Sequence, residues 1–148
     1  MSKATKTPSV VQQAADKMRQ EGKKVLTLII KQKPLDDILA GVKKKEYREV
    51  KDTTYRKLVQ VDKSGENILL DENEHAIPVH YDALLLFAGY SPDRDSALVE
   101  VVGAEEEYFK DEDGNVISFE EDDGSTFYPS QIAYALGRVL AKDIHPKR

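Results

Sequence analysis

The chain contains no cysteine among its 148 residues. This absence excludes disulfide bonds, thiolate metal sites and cysteine nucleophiles, and it agrees with a reducing cytoplasm as the expected location. No apolar run approaches the roughly 18 residues that a membrane span needs, so no membrane contact is expected. Residues 1–10 are polar and lack the apolar core of a signal peptide.

Common motifs of catalysis and cofactor binding are also missing. The chain has no G-x-G-x-x-G, no Walker loop and no nucleophile elbow. Of its three histidines, His75 and His80 are close in sequence but have no evident third ligand, so neither a metal nor a cofactor is expected. The acidic residues 105–123 do not fit a calcium loop, because Gly114 comes too soon after Asp111.

The charges are unevenly distributed, although the net charge is only −5. Residues 1–57 contain 15 Lys/Arg and 7 Asp/Glu, whereas residues 58–123 contain 3 Lys/Arg and 19 Asp/Glu. Phosphate contacts act within a Debye length of about 8–10 Å, so a local basic face can bind nucleic acid even in an acidic protein. The N-terminal part is therefore the candidate for contact with an anionic partner.

The apolar pattern predicts an α+β chain of about six strands with a few short helices. Helices are predicted from Ser9 to about Glu21, from Pro34 to the residue before Gly41, and over 52–59. The first of these helices is expected to bury Val10, Val11, Ala14, Ala15 and Met18. Strands are predicted over 25–30, 44–50, 67–70, 76–79, 84–88 and 97–109, with hairpin turns over 111–115 and 122–124. The sum indicates a small, largely antiparallel barrel with short flanking helices.

Residues 131–141 fit two structures. Their apolar residues match one face of a helix, which periodicity slightly favours, and they also match an alternating strand. Gly137 lies inside this segment and lowers helix stability by about 1 kcal/mol. The residues by themselves therefore do not decide between a helix and a strand for 131–141.

The segment from Gly41 to Arg48 has the spacing G-x-K-x-x-E-x-R. Gly41 follows a predicted helix, where the role of a helix C-cap is a sufficient explanation for it. On a strand, Lys44, Glu46 and Arg48 share one face. If this face lines a cleft, Glu46 holds Arg48 in place as a donor to a phosphate or base edge, with Lys43 beside it. The alternative is a solvated basic strand with a surface ion pair worth at most ~1 kcal/mol.

A basic, tyrosine-bearing turn follows this segment. It contains Tyr55, Arg56 and Lys57, and residues 41–57 together hold seven Lys/Arg and three Asp/Glu. Basic residues beside aromatic ones suit a surface that holds phosphates and stacks bases. The alternative is that Tyr55 belongs to the core and its neighbours are merely solvated.

The motif Gly41-x-Lys43-x-x-Glu46-x-Arg48, placed after a strand and a proline-containing helix, resembles the ASCH domain, a branch of the PUA-like superfamily. The similarity covers roughly residues 24–142 and extends to four further segments: 46–50, 55–57, 87–90 and 136–140. It implies a PUA-like domain over 24–148, preceded by a leader and helix over 1–23. It also implies a β-barrel with flanking helices, in which residues 131–141 form a strand.

The resemblance implies RNA or a modified nucleoside as the partner, bound in a cleft lined by three motif residues. The expected RNA-binding residues are Lys43, Glu46, Arg48, Tyr55, Arg56 and Lys57, the last three at the rim. Some ASCH members are enzymes that hydrolyse N4-acetylcytidine or cleave RNA. For such an enzyme Lys43 and Glu46 are the catalytic candidates, although the amidohydrolase type has threonine at the position of Glu46. A third interpretation is a protein-interaction module whose contact is the acidic hairpin.

Overall fold

A computed structural model describes residues 9–146, so the predicted leader at residues 1–8 lies outside the described part. The described chain forms three helices: α1 Val10–Gln20, α2 Gln32–Leu39 and α3 Tyr55–Leu58. It also forms seven strands: β1 Val25–Ile30, β2 Lys45–Glu49, β3 Ala83–Ala88, β4 Ser96–Tyr108, β5 Phe119–Glu120, β6 Thr126–Phe127 and β7 Ser130–Asp143. None of the helices in residues 9–146 has the length and apolar character to cross a membrane.

Five of the strands form one sheet in the order β1-β3-β4-β7-β2, and β5 pairs with β6 in a separate hairpin. The β1–β3 pair is parallel, whereas the β3–β4 and β2–β7 pairs are antiparallel. The predicted α+β class and the largely antiparallel sheet are therefore confirmed. No closed barrel is found among the strands that the structure describes.

The chain divides into two compact units. The first comprises the described parts of 1–44, 81–102 and 136–148, and the second comprises 45–80 and 103–135. Strands β4 and β7 each pass from one unit into the other.

In the first unit, α1 packs its apolar face on the sheet. Ser9 caps this helix, because its hydroxyl accepts the Gln12 N–H at 3.1 Å. The core cluster joins two residues of α1 to the strands: Val11, Ala15, Val25, Ala83, Leu85 and Leu98. The prediction for Val10 is wrong, because Val10 is 68% exposed. Val11 and Ala15 are buried, and Val10 is turned about 100° from Val11 around the helix axis.

Helix α2 ends at a left-handed glycine. Gly41 has a φ of +77°, and its N–H donates to the carbonyl of Ile38 at 3.1 Å. A Cβ atom at Gly41 would meet no atom within 4 Å, so the backbone angle and not space selects glycine there. The helix C-cap interpretation of Gly41 is therefore confirmed. The helix begins at Gln32, two residues before the predicted start at Pro34.

Residues 131–141 lie within β7, so the strand is confirmed and the helix favoured by periodicity is wrong. In the second unit, β7 pairs with β2, and Ile132, Ala133 and Tyr134 are all buried. In the first unit, Gly137 allows the Glu100 side chain to approach closely, since a Cβ atom there would lie 2.3 Å from Glu100 Oε1. The glycine that argues against a helix thus has a steric role in the strand.

In the second unit, the helix predicted over 52–59 shortens to the single turn α3. Leu58 and Val59 are buried, as expected for the inner face of that turn. In place of the strands predicted over 67–70 and 76–79, the chain forms isolated bridges, among them Leu70 opposite Ala76, which pairs the two segments. The turns predicted over 111–115 and 122–124 are also present.

Candidate nucleic-acid interface

The motif side chains on strand β2 alternate between its two faces. Lys45, Tyr47 and Glu49 are exposed, whereas Glu46 is only 7% exposed and Arg48 is half-buried. Glu46 lies opposite Tyr134 of β7, and Tyr134 is fully buried. Alternation along the strand therefore places Glu46 and Arg48 on its inner face. Glu46 is not part of a solvated surface ion pair.

The Glu46 carboxylate is only partly satisfied. Its Oε1 atom accepts the N–H of Tyr47 at 2.9 Å. Its Oε2 atom is buried and has no hydrogen-bond partner among the described residues. A buried acceptor without a donor costs about 1–3 kcal/mol, and more when it is charged. A hydrogen-bond donor brought to Oε2 would remove that cost, and because the atom is buried, a ligand brings one only when neighbouring side chains move aside.

Acidic side chains of β4 offset the positive charge on the outer face of β2. Lys45 Nζ lies 4.0 Å from Glu105 Oε1 and 3.8 Å from Glu107 Oε2, both on β4 in the second unit. These exposed contacts each contribute at most ~1 kcal/mol. They nevertheless reduce the positive potential on this side of the strand, so the inner face is the better candidate for an anionic ligand.

Lys43 belongs to the first unit, in the turn after α2. Its N–H donates to the carbonyl of Asp37 at 3.0 Å, and the residue is half-buried. The next residue, Lys44, accepts the N–H of Leu136 at its carbonyl at 2.9 Å. The backbone around Lys43 is therefore held at both ends of the turn.

Two of the three predicted rim residues brace a neighbouring loop. The hydroxyl of Tyr55 donates to the carbonyl of Gly65 at 2.8 Å, and Arg56 Nε donates to the same carbonyl at 3.2 Å. The Arg56 guanidinium lies 5.4 Å from the centre of the Tyr55 ring. Lys57 is exposed. The RNA-contacting role of these three residues stays a prediction.

The loop that carries Gly65 is organised by Asp62. Its carboxylate accepts hydrogen bonds from Ser64 Oγ at 2.6 Å, Asn67 Nδ2 at 2.7 Å and the Gly65 N–H at 3.1 Å. These bonds, with the one from Ser64 contributing most, lower the pKa of Asp62 from 3.8 to about 2.

We expect the Asp62 carboxyl to titrate near pH 2 in the folded protein, and carbon NMR of that group measures it directly. Because the folded pKa is lowered, the stabilisation by Asp62 is fully present above about pH 4 and is lost as the pH falls towards 2. A midpoint for Asp62 near 3.8 would show that the loop does not hold the carboxylate in solution.

A polar cluster that the sequence did not reveal lies around Glu106 in the second unit. The Glu106 side chain is 8% exposed, and it accepts the Ala76 N–H at 2.9 Å and the Ser130 hydroxyl at 2.8 Å. His75 Nδ1 lies 3.4 Å from Glu106 Oε1, and the rings of His75 and Tyr108 are 5.1 Å apart. Burial, followed by the charge of Glu106, raises the pKa of Tyr108.

This cluster ties together the turn at His75, strand β4 and strand β7. Sequence reasoning missed it because Ala76, Glu106 and Ser130 are far apart in the chain, and because Glu106 lies within a run of three glutamates. Within residues 9–146, no group of three histidine or acidic side chains could hold a metal ion.

The candidate interface is therefore the inner face of β2, which carries Glu46 and Arg48. The resemblance to the ASCH domain rests on the motif and its order along the chain. Comparisons of the chain with protein-family models, with curated proteins and with solved structures found no match.

Proposed function

We propose that the protein binds RNA through the inner face of β2. Arg48 donates to a phosphate or base edge, and Glu46 accepts a hydrogen bond from a base amino group. The observation that carries this proposal is the buried Oε2 atom of Glu46, which lacks a hydrogen-bond partner among the described residues. A PUA-like barrel is part of the same proposal, supported by the order of the motif and its neighbouring segments.

The chemistry of the two residues is complementary to that of an unpaired nucleotide. A carboxylate accepts from an exocyclic amine such as N4 of cytosine, and an arginine fork donates to base-edge or phosphate oxygens. Proteins that read RNA sequence mostly bind unpaired bases, whose edges are accessible. Arg56 and Lys57, which belong to the same unit as β2, supply positive charge for the phosphates.

The test compares two variants that remove one positive charge each from opposite faces of β2. We expect Arg48→Gln to weaken binding of a random single-stranded RNA pool about tenfold, since a charged hydrogen bond contributes about 1.5–3 kcal/mol. We expect Lys45→Gln to change it less than about twofold, because Lys45 already faces Glu105 and Glu107. Fluorescence anisotropy at low salt measures both affinities.

The salt dependence supplies a second readout. Binding should weaken by roughly 0.7 log units per log unit of salt for each phosphate contact, and Arg48→Gln should reduce that slope if Arg48 contacts phosphate. Equal losses in the two variants would contradict a role for the inner face. The absence of binding to any RNA at low salt would refute the proposal. Consumption of N4-acetylcytidine that is lost in Lys43→Ala would instead identify a hydrolase.

A further inference from the structure

A groove of about 510 Å³ opens on the surface of the second unit. Four apolar or aromatic residues contribute to its lining: Val50, Tyr55, Ile68 and Phe127. Two of them are exposed to a large degree, with Ile68 at 38% and Phe127 at 46%. We call this feature the Phe127 groove. Its volume is enough for one or two side chains of a bound segment.

The apolar surface continues from the groove onto the β5–β6 hairpin. Phe119 lies directly opposite Phe127 across the hairpin and is 58% exposed. Each strand of this hairpin has only two residues, and all four are exposed. An isolated two-stranded hairpin is at best marginally stable in water. A contiguous exposed patch of this kind is typical of an interaction surface.

The rim of the groove is acidic. Glu49, Asp52 and Glu66 line it, together with a single cation, Lys51. Lys51 Nζ lies 3.4 Å from Glu49 Oε2, so this pair is nearly neutral and the charge of Asp52 and Glu66 remains. The turn of the adjoining hairpin carries three more exposed carboxylates, at Glu121, Asp122 and Asp123. The groove therefore combines an apolar floor with a negative potential.

We propose that the Phe127 groove docks a segment of a partner protein that carries an aliphatic side chain flanked by lysine or arginine. The aliphatic side chain covers Ile68 and Phe127, and the flanking cations face Asp52 and Glu66. The negative potential selects this occupant, because it attracts a basic segment and repels RNA phosphates and anionic lipid headgroups. The docking surface is thus distinct from the inner face of β2.

The first test uses two synthetic six-residue peptides, one alternating Lys and Leu and the other alternating Lys and Gly. Both carry the same charge, and only the first can fill the apolar floor. Backbone amide shifts of the full-length protein, labelled with ¹⁵N, report binding. We expect saturable shifts at Ile68 and Phe127 with the Lys–Leu peptide, and at least about tenfold weaker binding of the Lys–Gly peptide.

The second test changes the groove. Ile68→Thr should weaken binding of the Lys–Leu peptide about tenfold through lost apolar burial. Val102→Thr is the matched control, since Val102 is a 64% exposed β-branched residue of the first unit. It should leave peptide binding unchanged. Glu66→Gln should weaken binding and reduce its dependence on salt. RNA affinity should be unaffected by Ile68→Thr, which separates this proposal from the one for β2.

Four outcomes would overturn the proposal. The first is that the Lys–Leu peptide causes no saturable shifts at Ile68 and Phe127. The second is that the Ile68→Thr and Val102→Thr variants bind this peptide equally well. Single-stranded RNA could shift the groove amides, which would assign the groove to nucleic acid. Shifts at Ile68 and Phe127 that depend on protein concentration in the absence of peptide would assign it to a second copy of this chain.

Discussion

Replacing Asp95 by alanine is expected to lower the free energy of unfolding by about 3 kcal/mol. Asp95 is 1% exposed. Its carboxylate accepts a hydrogen bond from Gln32 Nε2 at 2.9 Å and another from the His145 N–H at 2.8 Å. It therefore joins the start of α2, the loop before β4 and the C-terminal segment, all in the first unit. Alanine would remove both of these hydrogen bonds to a carboxylate, and a hydrogen bond to a charged group contributes about 1.5–3 kcal/mol.

Urea unfolding followed by circular dichroism measures this loss. Asp95→Asn keeps an acceptor of the same shape and should cost clearly less than Asp95→Ala. Asp122→Ala removes an exposed turn carboxylate and should change stability by less than about 0.5 kcal/mol. Amide exchange adds a local readout, because the His145 amide should lose protection in Asp95→Ala. Equal stability of Asp95→Ala and Asp122→Ala would show that the buried carboxylate does not hold these segments together.

Replacing Glu46 by methionine is expected to have two opposite effects. The free energy of unfolding should rise by about 1–2 kcal/mol, because a buried carboxylate with an unsatisfied oxygen is replaced by an apolar side chain of similar volume. The N–H of Tyr47 loses its bond to Oε1, and this loss offsets part of the gain. RNA affinity should fall about tenfold, because the proposed acceptor of a base amino group is gone.

Thermal unfolding and RNA anisotropy on the same preparation measure both effects. Glu112→Met is the matched control, since it removes the same charge from an exposed turn and should neither stabilise the fold nor weaken RNA binding. A gain in stability with a loss of binding is the pattern expected of a residue retained for function at a cost to the fold. If Glu46→Met destabilises the protein, the carboxylate has a structural role instead.

Several elements could be predicted from local features alone. The cap at Ser9, the buried Val11 and Ala15, and the left-handed Gly41 follow from short-range helix rules. Strand β1 follows from a short run of β-branched and aliphatic residues, and its predicted bounds of 25–30 are confirmed. These features depend on neighbours within one or two turns, which is why sequence patterns carry them.

The candidate site could be predicted only in part. The spacing of the motif indicated that Glu46 and Arg48 share a face of a strand, and the structure confirms it. The pattern could not show that this is the inner face, because a strand with charged residues on both sides has no apolar face to set its orientation. Nor could it reveal the Glu106 cluster or the Phe127 groove, whose members are distant in the chain.

The sequence by itself determined the α+β class, the cap of α1 at Ser9, the glycine that ends α2, most strands of the main sheet and the uneven charge. Tertiary pairing decided the rest. Residues 131–141 became a strand despite their helical period because β2 pairs with residues 131–135, where Ile132, Ala133 and Tyr134 are buried. The same pairing buried Glu46 against β7. Local propensities differ by less than about 1 kcal/mol per residue, so long-range burial and pairing outweigh them wherever the two conflict.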